Sequence, residues 1–279
     1  MVSARADAAA VCRCRHASCL HRGWHRHHHH QQLRPRTLPS QRRRFPHPGR
    51  QTRRLAGELA QQAVGDSGKK LRVTASLPPP FGACRADLFD AAQAPTIARP
   101  LVDEQAPYAD PWLAETQSST AAVRTLHALA PHDRPFWASF TLDDEHPAKP
   151  PRLRSDESIA DAVATVIDLG ADALLFNCSY SEIMADAIVV AYAVLDTAGN
   201  TLRLGVYANA FCAHDAGEAA LPANNGLDDI RIDLSPAAYP ALAQTWCAAG
   251  ADIIGDCCSI GPEHIAALAT WCDSKTLPK

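Results

Sequence analysis

Ile253-Ile254-Gly255-Asp256-Cys257-Cys258-Ser259-Ile260-Gly261-Pro262-Glu263-His264-Ile265 reads as a short apolar strand, a tight turn with two adjacent cysteines, and the start of a helix. Pro262 suits the first helical turn, and Glu263 suits the positive helix N-terminus. Adjacent thiols are poor disulfide partners, because an unstrained bridge spans Cα atoms about 4.4–6.8 Å apart. Two thiolates on a strand-end turn suit one soft metal ion instead. A third ligand must then come from elsewhere in the chain.

The same strand–turn–helix unit recurs upstream. Strands are expected over 71–77, 111–116, 136–142, 173–178, 202–209 and 251–255, each a short apolar run bounded by turn residues. Helices are expected over 55–64, 87–104 (broken near Pro95 and Pro100), 118–129, 156–169, 181–195, 236–249 and 262–271. Ser155 caps the fourth of these, with Ser158 as the alternative start. Gly170 and Gly250 stop two helices in matching phrases, Leu169-Gly170-Ala171-Asp172 and Ala249-Gly250-Ala251-Asp252, the αβ turn recurring. Strands alternating with helices define a parallel α/β protein. An open doubly wound sheet is one solution. A (β/α)8 barrel fits the spacing better, incomplete, with the first two strands missing or garbled.

Those two strands would lie where the composition changes. Of the 279 residues, 1–54 hold 13 arginines, no lysine and one acid, Asp7, leaving +12; the remainder carries −15 of the net −3. The division is therefore a head, 1–54, and a barrel domain, 55–279. The head contains Cys12, Cys14, Cys19, a run from His27 to His30 and Arg42-Arg43-Arg44, without helical or strand periodicity. It reads as a disordered tail, since such a composition buries no core. A metal-binding or nucleic-acid-binding arm is the alternative, and the latter predicts steep salt dependence. A third reading is translational. Read one base later, with suitable synonymous codons, His25 to Leu33 becomes Thr-Val-Ile-Thr-Thr-Thr-Asn-Ser-Tyr, a strand and a polar turn. The head is then a frameshifted barrel strand.

Apolar residues make up 47% of the chain, enough for a sizeable core. No apolar run approaches the roughly 20 residues of a membrane helix, and the start lacks a signal-peptide h-region. The expectation is a cytoplasmic protein without membrane or nucleic-acid partners. Ten cysteines in such a chain point to metal or redox chemistry more than to disulfides.

Polar residues gather at the C-terminal strand ends: Glu115, Ser139, Asn177-Cys178, Asn209 and Cys257-Cys258. In a barrel that end carries the active site. Cys178 and Cys257-Cys258 follow strands separated by one neighbour, so three thiolates can meet at one mouth. Such a site suits Zn²⁺ with one position open. The competing reading makes Cys178 an ordinary buried cysteine.

Ser76-Leu77-Pro78-Pro79, Leu113-Ala114-Glu115-Thr116, Ser139-Phe140-Thr141-Leu142, Asn177-Cys178-Ser179, Tyr207-Ala208-Asn209-Ala210, and the Cys257-Cys258 turn with Gly261-Pro262-Glu263-His264-Ile265 follow one another along the body. By these stretches the body resembles the homocysteine S-methyltransferase family. The resemblance implies a zinc-dependent (β/α)8 barrel with Cys178, Cys257 and Cys258 as metal ligands. It also implies Glu115, Asn177 and Asn209 at the substrate, and no catalytic residue beyond the zinc site. Methyl transfer would run from S-methylmethionine or S-adenosylmethionine to homocysteine, giving methionine. The alternative is a catalytically inactive truncated or frameshifted barrel that retains the thiolate site.

The chain departs from the family pattern in places. Asp256 and Ser259 replace glycines of the Gly-Gly-Cys-Cys-Gly turn, Cys84 stands where a polar or aromatic residue is usual, and the first strand with its Asp-Gly-Gly turn is absent. Replacing a glycine that needs positive φ costs on the order of 1 kcal/mol or more. His264 is expected at the surface or behind the site rather than in catalysis. Cys212, Cys247 and Cys272 are expected to be packing residues, and Trp246 and Trp271 core residues. His214-Asp215 and Glu218 offer donors for a second metal site in a polar loop.

Overall fold

A computed structural model of the chain describes residues 48–212 and 230–275. Six parallel strands form one sheet in chain order: β1 (Ala75–Leu77), β2 (Trp112–Gln117), β3 (Phe136–Phe140), β4 (Ala173–Asn177), β5 (Arg203–Tyr207) and β6 (Ile253–Ile254). The helices are α1 (Pro48–Asp66), α2 (Ala94–Gln105), α3 (Thr120–Leu129), α4 (Ile159–Asp168), α5 (Ser181–Thr197), α6 (Tyr239–Ala249) and α7 (Pro262–Lys275). A doubly wound sheet reverses its strand order partway across; this one does not. It is the wall of a (β/α)8 barrel with six strands. Among the described residues β1 and β6 each pair with one neighbour, so the sheet is unclosed.

Local chemistry moves several boundaries. Helix α1 begins at Pro48 rather than Leu55, and Arg50 and Arg54 on this early turn both pair with Glu104 of α2. Pro95 lies in the first turn of α2, where a missing N–H breaks no helical bond, and Pro100 is carried inside that helix without ending it. Ala86–Leu88 is a separate 3-10 turn. Ser158, not Ser155, caps α4: its hydroxyl accepts from the Asp161 amide at 3.1 Å, and Asp161 accepts from the Ser158 amide at 3.0 Å. The Ser155 hydroxyl donates to Glu157 at 2.5 Å, and Glu157 accepts from the Thr120 amide at the start of α3. Cys247 and Cys272, expected as simple packing residues, are disulfide-bonded. They lie on α6 and α7, which pack together, so covalent chemistry is present where apolar contact alone was expected.

The recurring Gly-Ala-Asp phrase has a structural cause. The Asp172 amide donates to the Phe136 carbonyl at 2.8 Å, and its carboxylate accepts from the Phe136 amide at 3.0 Å. Asp252 makes the same pair of bonds to Leu204, and Asp110 makes it to Val73. Each aspartate thus seals the start of the preceding strand, where a ladder amide would otherwise be orphaned.

Alternation along the strands fills the barrel in layers. Leu113, Trp137, Ala173, Leu175, Tyr207 and Ile253 form one buried interior cluster. Gly205 belongs to this face, and a Cβ there would lie 2.8 Å from Leu175 and 2.9 Å from Ile253. The alternate residues, such as Ala114, Ala138, Leu174, Phe176 and Val206, pack outward beneath the helices with Trp246. One step further along each strand the interior turns polar, at Ser76, Glu115, Ser139, Asn177 and Cys257. That change of chemistry marks the functional end.

Candidate metal centre

Cys178 leaves the end of β4, and Cys257 and Cys258 occupy the turn after β6. Cys258 Sγ stands 3.9 Å from both Cys178 Sγ and Cys257 Sγ, and all three sulfurs lie within 4.8 Å of one another. Sulfurs bound at about 2.3 Å to one tetrahedral zinc lie about 3.8 Å apart. The two 3.9 Å edges match that figure, so the donor set fits a thiophilic cation. Hydrogen bonds to Cys257 and Cys258, then burial, push the Cys178 thiol well above its ordinary pKa. The bond with Cys178 draws Cys257 down, but its bond with Cys258 and its burial carry it well above the usual thiol value. A cation is what such a crowded trio needs in order to ionise.

The main chain brings the trio together. The Cys178 amide donates to Tyr207 O at 3.2 Å, the Asn209 amide to Ser179 O at 3.2 Å, and the Ala210 amide to Cys258 O at 3.0 Å. The exit of β5 is therefore zipped between the two cysteine loops. Cys178 has φ +51° and Ser259 φ +65°, so the turn pays strain at Ser259, where a glycine would be at ease. Asp256 has no positive φ. Its carboxylate lies on the α6 side, near Tyr239; burial and then that charge push the Tyr239 phenol well above its usual range. His264 braces the turn from behind. Its Nδ1 accepts from the Gly261 amide at 3.0 Å, and its Nε2 meets Leu234 O at 2.8 Å. A carbonyl can only accept, so the proton sits on Nε2. The imidazole is a structural clip rather than a group at the thiols.

Inside the mouth, Ser76 donates to Glu115 at 2.5 Å. Ser139 donates to Asn177 Oδ1 at 2.7 Å, and Asn177 Nδ2 donates to Thr116 Oγ1 at 2.8 Å while facing Cys257 Sγ at 3.9 Å. Thr116, a β-branched residue, has φ +60°, next to the register shift in β2. Asn209 is buried but turned to its own loop, its side chain accepting from the Phe211 amide at 3.3 Å. Around the rim, Arg154 pairs with Asp144 and Glu145, and Asp144 accepts from the Tyr180 amide at 2.8 Å. Cys84 stands beside Arg154; burial raises its thiol pKa, and the guanidinium partly offsets this.

Of the residues singled out in the sequence, Cys178, Cys257 and Cys258 converge with Asn177. Glu115 faces the same interior. Asn209 joins through its backbone. Trp246 is buried and Trp271 packs against the core. Cys12, Cys14, Cys19, the histidine run, His214, Asp215 and Glu218 lie outside the described residues, as does most of the head. Thr116, which accepts from Asn177, was missed as a site group. It falls inside a quoted phrase, but nothing in its spacing sets it apart.

A parallel barrel wall carries at its C-terminal mouth three thiols that could hold one metal ion. The family described as homocysteine S-methyltransferase matches residues 38–272. The chain belongs to that family of methyl-transferring enzymes. Among solved structures it is similar to the oxidized form of the homocysteine methyltransferase MmuM from Escherichia coli. The identity is 24% and the TM-score 0.57, over 79% of this chain and 70% of that one; this likeness supports the fold. No curated protein sequence matches significantly. No helix of the described residues is long and apolar enough to cross a membrane.

Proposed function

We propose that this chain transfers a methyl group from a sulfonium donor, S-methylmethionine or S-adenosylmethionine, to the sulfur of homocysteine, and that Cys178, Cys257 and Cys258 hold the zinc ion this requires. The observation that carries the reading is the sulfur spacing, two edges of which match a tetrahedral zinc site at 3.9 Å. Bound there, zinc supplies a Lewis acid that keeps a fourth sulfur ligand ionised at neutral pH. The residues around it hold and orient. Glu115, steadied by Ser76, accepts the substrate ammonium. Asn177, fixed between Ser139 and Thr116, braces Cys257. Asn209 keeps the Ser179 backbone in register with β5. In the reaction the homocysteine sulfur forms a bond to the methyl carbon. The donor's sulfur–methyl bond breaks, and its electron pair leaves with the thioether. No acid or base need act on the donor, so alignment of three atoms in line carries much of the rate.

One observation favours a second reading, a catalytically inactive barrel that retains the site: the sheet is unclosed among the described residues. A methionine-formation assay decides between them. Folded, zinc-loaded protein supplied with homocysteine and each sulfonium donor in turn should form methionine. No product with either donor would overturn the first reading in favour of the second.

A further inference from the structure

Tyr207 stands on β5 in register with Asn177 of β4. Its ring packs in the interior cluster against Leu113, Trp137, Leu175 and Ile253, with Cys257 on its border. The residue is 3% exposed. Its hydroxyl is buried and has no hydrogen-bond partner of good geometry. Ser139 Oγ lies beside it and gives its own proton to Asn177; its free lone pairs could accept the Tyr207 proton, but the two hydroxyls do not meet in hydrogen-bond geometry. The surrounding donors are similarly committed: Ser76 to Glu115, and the Asn177 amide to Thr116. A buried hydroxyl without a partner is costly, and a native structure keeps one where something else fills the need. Cys257 borders the ring, Asn177 beside it in register faces the same sulfur at 3.9 Å, and the Glu115 charge reaches the hydroxyl. The hydroxyl therefore lies in the same interior as the group for a substrate ammonium and the thiols for a substrate sulfur.

We infer that the Tyr207 hydroxyl donates a hydrogen bond to the α-carboxylate of the thiol substrate, making it a specificity-determining residue. The inference rests on the homocysteine reading above and deepens it. An α-amino acid carries a cation and an anion on one carbon, so its recognition needs an acceptor and a donor close together. Glu115 is the acceptor and Tyr207 is the donor. The pair selects a thiol with an amino-acid end over a plain thiol or an aminothiol.

The test compares two ligands on zinc-loaded protein by calorimetry, without a methyl donor: homocysteine, and 3-aminopropane-1-thiol, which lacks only the carboxylate. Wild-type protein should prefer homocysteine by roughly 10- to 100-fold, the size of one hydrogen bond to a charged group. Tyr207→Phe should lose that preference while binding the aminothiol unchanged. It should also hold its zinc and melt no lower than wild type, because the deleted hydroxyl has no protein partner to leave behind. A structural role would instead weaken both ligands and lower Tm. Wild-type preference retained in Tyr207→Phe, or a Tyr207→Phe that weakens both thiols equally, overturns the assignment of Tyr207 alone. A wild-type protein that binds neither thiol overturns the homocysteine reading and this inference together.

Discussion

The amide of Ala210 donates to the carbonyl of Cys258 at 3.0 Å. This bond ties the exit of β5 to the turn after β6, while the neighbouring Asn209 amide ties the same segment to Ser179. The two loops that carry thiols are held by a strand that contributes none.

Removing one sulfur from a three-thiol site leaves two, and the fit to a tetrahedral ion is lost. Cys258→Ala and Cys178→Ala should each purify without stoichiometric zinc, measured by mass spectrometry of the metal. One zinc per chain in either variant would remove the trio as the metal site.

Ser259 holds φ +65° in the cysteine turn. Glycine adopts that conformation without a Cβ clash. Ser259→Gly should therefore stabilise the fold by about 1 kcal/mol in chemical denaturation. An unchanged or lower midpoint would show that the Ser259 side chain makes compensating contacts.

Glu115 is oriented by the Ser76 hydroxyl at 2.5 Å. If it receives the substrate ammonium, Glu115→Gln should lower kcat/KM for homocysteine by about 10- to 100-fold through loss of a charge-assisted hydrogen bond. Zinc content should not change. A variant with wild-type kcat/KM would place the ammonium elsewhere.

Asp172 exchanges two hydrogen bonds with Phe136. Asp172→Ala orphans the Phe136 amide and should cost about 1–3 kcal/mol. Asp172→Asn retains an acceptor and should cost less. Equal losses in urea titrations of the two variants would mean that charge, not the acceptor, matters.

Burial, then the nearby His132, hold the His127 imidazole below the ordinary histidine pKa. Its ring packs edge-on against Phe136 with centroids 4.8 Å apart. A depressed folded pKa means that the unfolded chain takes up the proton first. The stability contribution is therefore complete above the unfolded value of about 6.5 and declines as pH falls through the folded value. His127→Gln should flatten that part of the stability-against-pH curve; an identical slope below pH 6.5 would exclude this histidine as its source.

The six strands were legible because each is a short apolar run closed by a turn, and burial on both faces leaves that mark in the sequence. The helix stops at Gly170 and Gly250 were legible because their φ values are positive, +64° and +118°. Less visible were ends held by contacts distant in sequence. The first turn of α1 depends on Glu104, and α4 opens at Ser158 because Ser155 is engaged with Glu157. The disulfide state of Cys247 and Cys272 was equally hidden, since spacing cannot say which thiols will meet.

The sequence by itself determined the parallel α/β order, the polar strand ends and the three cysteines, because side-chain type and period are local properties. Only the tertiary structure decided which hydroxyls and amides are already committed. It showed that Asn209 turns to its own loop, that His264 clips the turn from behind, that the strain falls on Ser259 and not Asp256, and that the Tyr207 hydroxyl lacks a partner. Hydrogen bonds saturate: a donor committed to one neighbour is withdrawn from the others, and which neighbour takes it depends on strands far apart in the chain.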